Sequence, residues 1–92
     1  MIVSFRHKGL ERLYHSGSTR GVQASQVRKL ELILTALDSA AGPDDLKVPL
    51  FRLDPLKGKL KDHWSIWVNG NWRVTFRFIG RDVELLDLVD YH

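Results

Sequence analysis

Residues 63–78, HWSIWVNGNWRVTFRF, leave this chain few folds to choose from. Apolar and polar residues alternate on both sides of Asn69-Gly70-Asn71. Period-two alternation broken by an Asn-Gly pair is the strongest local signature of a β-hairpin. Two registers compete. A two-residue turn at Asn69-Gly70 sets Val68 against Asn71 and Ile66 against Arg73, mixing apolar and charged side chains on one face. A three-residue loop, Asn69-Gly70-Asn71, sets Val68 against Trp72, Ile66 against Val74 and Trp64 against Phe76. A one-residue slip turns every side chain to the opposite face, so burial selects the second register. The hairpin then has an apolar face built on Trp64, Ile66, Val68, Trp72, Val74, Phe76 and Phe78. Its other face is polar and cationic, with Ser65, Trp67, Arg73, Thr75 and Arg77.

Residues 82–92, DVELLDLVDYH, continue the sheet. Gly80 can take a positive φ at the first central position of a two-residue turn with Arg81. Counting back from that turn pairs Phe78 with Val83, Arg77 with Glu84, Phe76 with Leu85, Arg73 with Leu88, Trp72 with Val89 and Asn71 with Asp90. Residues of like parity share a face, which places Arg73, Asp90 and His92 together on the side away from the core. Asp87 falls on the core face in this count, a position for which the pattern offers no account.

Upstream, residues 1–5 alternate briefly and suit an edge strand. Leu10, Leu13 and Tyr14 lie at helical spacing before Gly17, which suits a helix stop. Val27, Leu30, Leu34 and Leu37 form a longer helical stripe ended by Gly42-Pro43, with Gln26, Arg28, Lys29 and Glu31 facing away. The pattern predicts helices near residues 8–16 and 24–41 and strands near 2–5, 63–68, 72–79 and 82–90, with Trp72, Phe76 and Leu85 buried beneath the long helix. Residues 42–62 hold all three prolines and no clear period. They carry Lys47, Arg52, Lys57, Lys59 and Lys61, and long connections in compact domains are usually functional or disordered. The sum is a single α+β domain over residues 1–92, an antiparallel sheet with two N-terminal helices packed on one face.

Composition narrows the function. There is no cysteine, and the four histidines lack metal-site spacing, so neither a disulfide nor a cofactor is expected. No apolar run approaches the roughly 20 residues of a membrane span, and the N-terminus has no signal-peptide core, so a cytoplasmic protein without membrane contact is expected. A net charge of +3 is compatible with a nucleic-acid partner.

The polar face gathers an acid, an imidazole and cations. Asp90 and His92 end the chain, Arg73 lies on the neighbouring strand, and Lys57 and Lys59 come from the basic loop. This set suits phosphodiester cleavage by a vicinal hydroxyl: one group takes the 2′-OH proton, one gives a proton to the leaving oxygen, and cations hold the phosphorane oxygens. Arg can grip two phosphate oxygens, Lys acts as a point charge, and His titrates near neutrality. Trp67 is placed to stack a base and Asn71, at the hairpin tip, to read an adenine edge. The same face also serves a non-catalytic RNA-binding or protein-interaction module.

The block RLDPLKGKLKDHWSIWVNGNWRVTFRF, the terminal DLVDYH and the opening IVSFRHKGLERLY resemble the HigB toxins of bacterial toxin–antitoxin systems, members of the RelE/ParE superfamily. The likeness covers nearly the whole chain. It implies a RelE-like fold similar to microbial ribonucleases, and a ribosome-dependent endoribonuclease that cuts mRNA in the ribosomal A site of the 70S ribosome. The products would be a 2′,3′-cyclic phosphate and a 5′-OH. It also implies a HigA-type helix-turn-helix antitoxin as partner. Family residues carry over at Lys57, Asn71, Arg73, Asp90, Tyr91 and His92, which gives Lys57, Arg73, Asp90, Tyr91 and His92 as catalytic candidates. Lys59, Lys61, Arg52, Trp67 and Asn71 are the RNA-binding candidates. Where relatives carry a loop histidine this chain has Asp54, which shifts acid–base work to His92 and Asp90. Either of those two can be the base, and Tyr91 has the opposite parity. A ParE-like gyrase inhibitor needs no such groups, so the terminal DYH and the pair Lys57 and Arg73 count against that alternative.

Overall fold

A computed structural model describes residues 1–91. Helix α1 spans Lys8–Ser16. His7 caps it, its Nδ1 accepting the Leu10 N–H at 3.1 Å, and Gly17 closes it in the left-handed region. Helix α2, Val27–Ser39, follows a 3₁₀ turn over Ala24–Gln26. Both helices sit where their apolar spacing predicts them. Leu10 and Leu13 of α1 and Leu30, Ile33, Leu34 and Leu37 of α2 join Ile66, Val74, Phe76, Val83 and Leu86 in one core. Fully burying a side chain such as Phe76 stabilises the fold by about 1.5–3 kcal/mol.

The sheet has four antiparallel strands in chain order: β1 (Asp54–Pro55), β2 (His63–Asn69), β3 (Trp72–Ile79) and β4 (Asp82–Asp90). Strand β1 has no sequence signal. It is one pair of residues set against Ser65 and Trp64, within a segment otherwise folded as the 3₁₀ turns Pro43–Leu46, Pro49–Phe51 and Gly58–Leu60. Such turns close on local bonds and leave no period in the sequence; two of them begin on proline. Leu46 and Phe51 nonetheless anchor the segment in the core.

The β2–β3 hairpin has the predicted pairs Trp64 with Phe76 and Ile66 with Val74. Its tip differs. The register shifts between Trp67 and Asn69, so Asn69 rather than Val68 faces Trp72, and the turn closes on Gly70-Asn71. This bulge keeps Val68 buried while the loop shortens, and Gly70 takes the positive φ, 51°, that such a turn needs at its first central residue.

The second correction lies in β4. Pairing starts as predicted, with Phe78 opposite Val83 and Arg77 opposite Glu84. Between Thr75 and Arg77 it slips, and thereafter Thr75 faces Asp87, Val74 faces Leu88, Arg73 faces Val89 and Trp72 faces Asp90. Leu85 is the extra residue, at φ 59°, a conformation uncommon for a bulky side chain. The N-terminal segment holds it there. The Leu85 N–H donates to Ser4 Oγ at 2.9 Å, the Leu86 N–H donates to the Ser4 carbonyl, and the Arg6 and His7 N–H groups converge on the Leu86 carbonyl. Residues 1–6 therefore run beside β4 through isolated parallel bridges, Ile2 to Val83 and Phe5 to Leu86, not as the continuous strand predicted at 2–5. Leu86 takes the buried place expected for Leu85, which is only half-buried, as is Trp72. Asp87 moves off the core face. Asp90 moves in the opposite sense, onto the face of Trp72 and away from Arg73.

Candidate active site

The tip end of the sheet concentrates the candidate residues. Arg73 stands between Trp67 on β2 and Val89 on β4. The Tyr91 N–H donates to the Asn71 carbonyl at 2.9 Å, so the ladder continues one residue past β4. Alternation then sets Tyr91 on the Arg73 side of the sheet, with Asp90 on the other. The placement of Asp90 and Tyr91 thus reverses the predicted parity, because the Leu85 bulge adds one residue. His92 lies outside the described residues.

Trp67 is fixed in place: its Nε1–H donates to the Gly70 carbonyl at 2.9 Å. The Arg52 guanidinium lies 4.1 Å and Lys29 Nζ 4.7 Å from the ring centroid. The ring surface predicted to stack a base is engaged by two cations. Lys29 also donates to the Leu50 carbonyl at 3.1 Å. Burial, then the neighbouring Arg52 charge, holds its ammonium below the usual lysine range.

Arg73 adds a third cation, and its Nη1 is buried without a hydrogen-bond partner. Ion pairs among the described residues join the N-terminus to Asp82, Lys47 to Asp44, and Arg77 to Glu84. A buried guanidinium nitrogen is costly without a partner, so this cluster suits an anion beyond those the described residues set against it. A phosphate, gripped by a planar guanidinium and flanked by an ammonium, is the natural match.

The basic loop stands apart. The Leu56 N–H donates to the His63 carbonyl, which anchors residues 57–61 at the far end of β2. His63 pairs with Arg77 whereas Trp67 pairs with Arg73. Four residues of strand separate the two positions, roughly 13 Å. Lys57, Lys59 and Lys61 are exposed there, and the structure does not bring them to Arg73.

Two tip residues have no signal in the sequence. The helical spacing predicts an outward side for both Lys29 and Gln26. Gln26 is in fact 1% exposed, its Nε2 donating to Asn69 Oδ1 at 3.0 Å. It sits in the 3₁₀ turn before α2, so its side chain does not follow the helical phase. Nothing in the local sequence marks Lys29; its role depends on where residues 50–52 fold back.

Comparison with known proteins bears on the family and the fold. A family described as "RelE-like toxin of type II toxin-antitoxin system HigB" matches residues 3–92. The chain is 45% identical over 92 residues to the Endoribonuclease HigB of Proteus vulgaris, covering 100% of both. It is 33% identical over 98 aligned residues to the Toxin HigB-1 of Vibrio cholerae serotype O1, covering 100% of this chain and 98% of the other. Among solved structures, a chain of the YoeB-YefM complex from Staphylococcus aureus superposes with a TM-score of 0.65 at 17% identity, over 100% of this chain and 95% of that one. A YoeB/ParE toxin from Agrobacterium tumefaciens gives 0.61 at 20% identity, over 99% and 98%. These two likenesses speak to the fold, and the full-length sequence matches speak to the family. With the cationic sheet end and the terminal segment both inside the matched region, the chain belongs to the HigB-like toxins of type II toxin–antitoxin systems.

Proposed function

We propose that this toxin is an endoribonuclease that cuts mRNA on the ribosome. The observation that carries the reading is the buried, unpartnered Nη1 of Arg73 beside the Lys29 and Arg52 cations. The relative from Proteus vulgaris is named an endoribonuclease, which supports it. In this reading α1 and α2 back one face of the sheet and leave the other to RNA, as in microbial ribonuclease-like folds. The 2′-oxygen attacks phosphorus and the bond from phosphorus to the 5′-oxygen breaks, leaving a 2′,3′-cyclic phosphate and a 5′-OH. Arg73 holds the phosphorane oxygens. Tyr91, now on the Arg73 side, donates a hydrogen bond to the same group. His92 carries the 2′-OH proton to the leaving 5′-oxygen, and Asp90, set by the register on the other side of the sheet from Arg73, is given no step. Lys57, Lys59 and Lys61, spread along the far end, and Arg52 hold the flanking backbone, while Asn71 at the exposed tip reads a base.

The cations are spread over an open surface, so the domain has little means of forcing free RNA into an in-line geometry. Orientation of reacting groups supplies about 7–11 kcal/mol of a barrier, and the ribosomal A site is proposed to provide much of it. Cleavage of translated mRNA and little of naked RNA is expected; equal rates on both would refute ribosome dependence. The proposed partner is a HigA-type helix-turn-helix antitoxin with acidic segments, docked away from Arg73, and the proposed location is the cytoplasm, with the ribosomes.

The test is single-turnover cleavage of mRNA on a programmed 70S ribosome across pH, with wild type and His92→Ala. A slower variant that loses one limb of the pH profile supports His92 as the proton carrier. A wild-type rate and profile would remove His92 from the mechanism. Inhibition of gyrase supercoiling with no cleavage would instead place the chain with ParE-like inhibitors.

A further inference from the structure

A cleft opens at the same end of the sheet, on the side of Trp72 rather than Arg73. It encloses about 310 Å³ and is lined by His7, Arg20, Gln23, Gln26, Trp72 and Leu88, among others. Its wall is built, not draped: the loop carrying Arg20 crosses the start of α1 so closely that a Cβ on Gly9 would stand 2.3 Å from the Gly21 carbonyl oxygen.

Gln26 is buried at the base of this region with one amide atom satisfied by Asn69 and the other, Oε1, without a partner. Reversing both amides exchanges which atom is left over and does not supply the missing bond. His7 accepts the Leu10 N–H at Nδ1, so its ring proton is on Nε2 and makes that nitrogen a donor. Trp72 supplies a half-buried indole, and Arg20 an exposed cation at the rim.

A ligand that meets these groups together is flat, has a hydrogen-bonding edge and carries an anion at one end. An apolar peptide side chain would leave the Gln26 amide unmet. We propose that the cleft binds one unpaired nucleotide, its base packed on Trp72, its polar edge on Gln26 and its phosphate on Arg20. The nucleotide comes either from a single-stranded RNA or from the free mononucleotide pool; the chemistry is shared. This site is separate from the Arg73 cluster and does not depend on RNA cleavage.

The full chain, labelled with ¹⁵N, is titrated with each of the four nucleoside 5′-monophosphates and with an uncleavable 2′-deoxy trinucleotide. The Gln26 side-chain amide and the Trp72 indole N–H signals are followed. Saturable shifts at both are expected. Arg20→Ala should weaken binding about tenfold, the scale of one charge-assisted hydrogen bond. Tighter binding of the trinucleotide assigns the site to a strand, and equal binding assigns it to mononucleotides. Gln26→Leu should weaken binding too; if that variant does not fold, Arg20→Ala, at an exposed residue, carries the test. Shifts confined to Asn71 and Arg73, or unchanged binding in a folded Arg20→Ala variant, would overturn the proposal. So would shifts at Gln26 and Trp72 with an oligoglutamate peptide but not with nucleotides, which would assign the cleft to a protein partner. Loss of cleavage in Arg73→Ala with cleft binding intact keeps this inference distinct from the endonuclease reading.

Discussion

The two ends of the sheet treat their polar groups in opposite ways. At the β3–β4 turn, charges find partners within the chain. Arg77 Nε donates to Glu84 Oε2 at 2.8 Å, with a second bond from Nη2, and the N-terminal ammonium stands 3.3 Å from Asp82. Asp38 accepts the Tyr14 hydroxyl at 2.6 Å and the Ile2 N–H at 3.1 Å. At the β2–β3 tip, Gln26 Oε1 and Arg73 Nη1 are buried and unpartnered, and Lys29 and Arg52 crowd one indole. One end is closed on itself. The other is left open in hydrogen-bonding terms, which a fold retains only where something else completes it. His63 is the exception at the closed end, its Nε2 buried without a partner.

The widest expected effect lies at the open end. Arg73→Ala should lower the single-turnover rate at saturating ribosomes by about 10²-fold or more, the scale of a lost preorganised charge stabiliser. Its melting temperature should hold or rise, since an unsatisfied buried group is removed. Arg73→Lys should not restore the rate, because bidentate geometry goes with the guanidinium. A rate loss that merely tracks a fall in stability would break the contrast between the ends.

The closed end should answer in stability alone. Asp38→Ala removes two hydrogen bonds at an exposed carboxylate and should cost about 1 kcal/mol, or about 4–8 °C in Tm, with cleavage unchanged. The Tyr14 hydroxyl, then the Ile2 N–H, hold the Asp38 carboxyl below the usual carboxylate range. A depressed folded value means its contribution is fully present above the unfolded pKa of about 3.9 and is lost as pH falls through the folded value. Asp38→Asn should flatten that acid-side loss in melts taken from pH 5 downward. An unchanged acid slope would show that the carboxylate contributes nothing there.

Lys59→Ala and Lys61→Ala test the distance between the basic loop and the tip. They should raise the ribosome concentration needed for half-maximal cleavage, less so as salt increases, and leave the saturating rate alone. A fall in the saturating rate would bring the loop into the chemistry after all.

The smallest effect is a titration. Arg52→Ala should move the Lys29 ammonium back toward its ordinary value, read from its side-chain ¹⁵N signal, because one of the two causes of its depression is gone. No movement would mean that burial alone sets it.

Much of the frame is legible in the spacing of residues along the chain. The alternation around Asn69-Gly70-Asn71 specifies the Trp64–Phe76 and Ile66–Val74 pairs, and Gly80-Arg81 specifies the second turn, because period-two burial and turn chemistry are local properties. Arg73 is legible as a cation opposite Trp67 for the same reason. What the pattern hides is one extra residue. An unbroken count carries Asp90 to the Arg73 side; the bulge at Leu85 carries it across and brings Tyr91 in its place. Asp87 is the visible trace of that slip, a charge that the unbroken count leaves on a core face.

By itself, then, the sequence determined α1, α2, the strands β2 to β4 and which side chains of β2 and β3 alternate inward, since these follow from spacing along the chain. Tertiary structure decided the phase of the last strand and the partners of the tip. The bulge is held by Ser4, eighty-one residues from Leu85, and the cations over Trp67 arrive from α2 and from the turn after residue 50. Contacts of that span leave no period in the sequence, because their geometry exists only once distant segments have packed against the same edge.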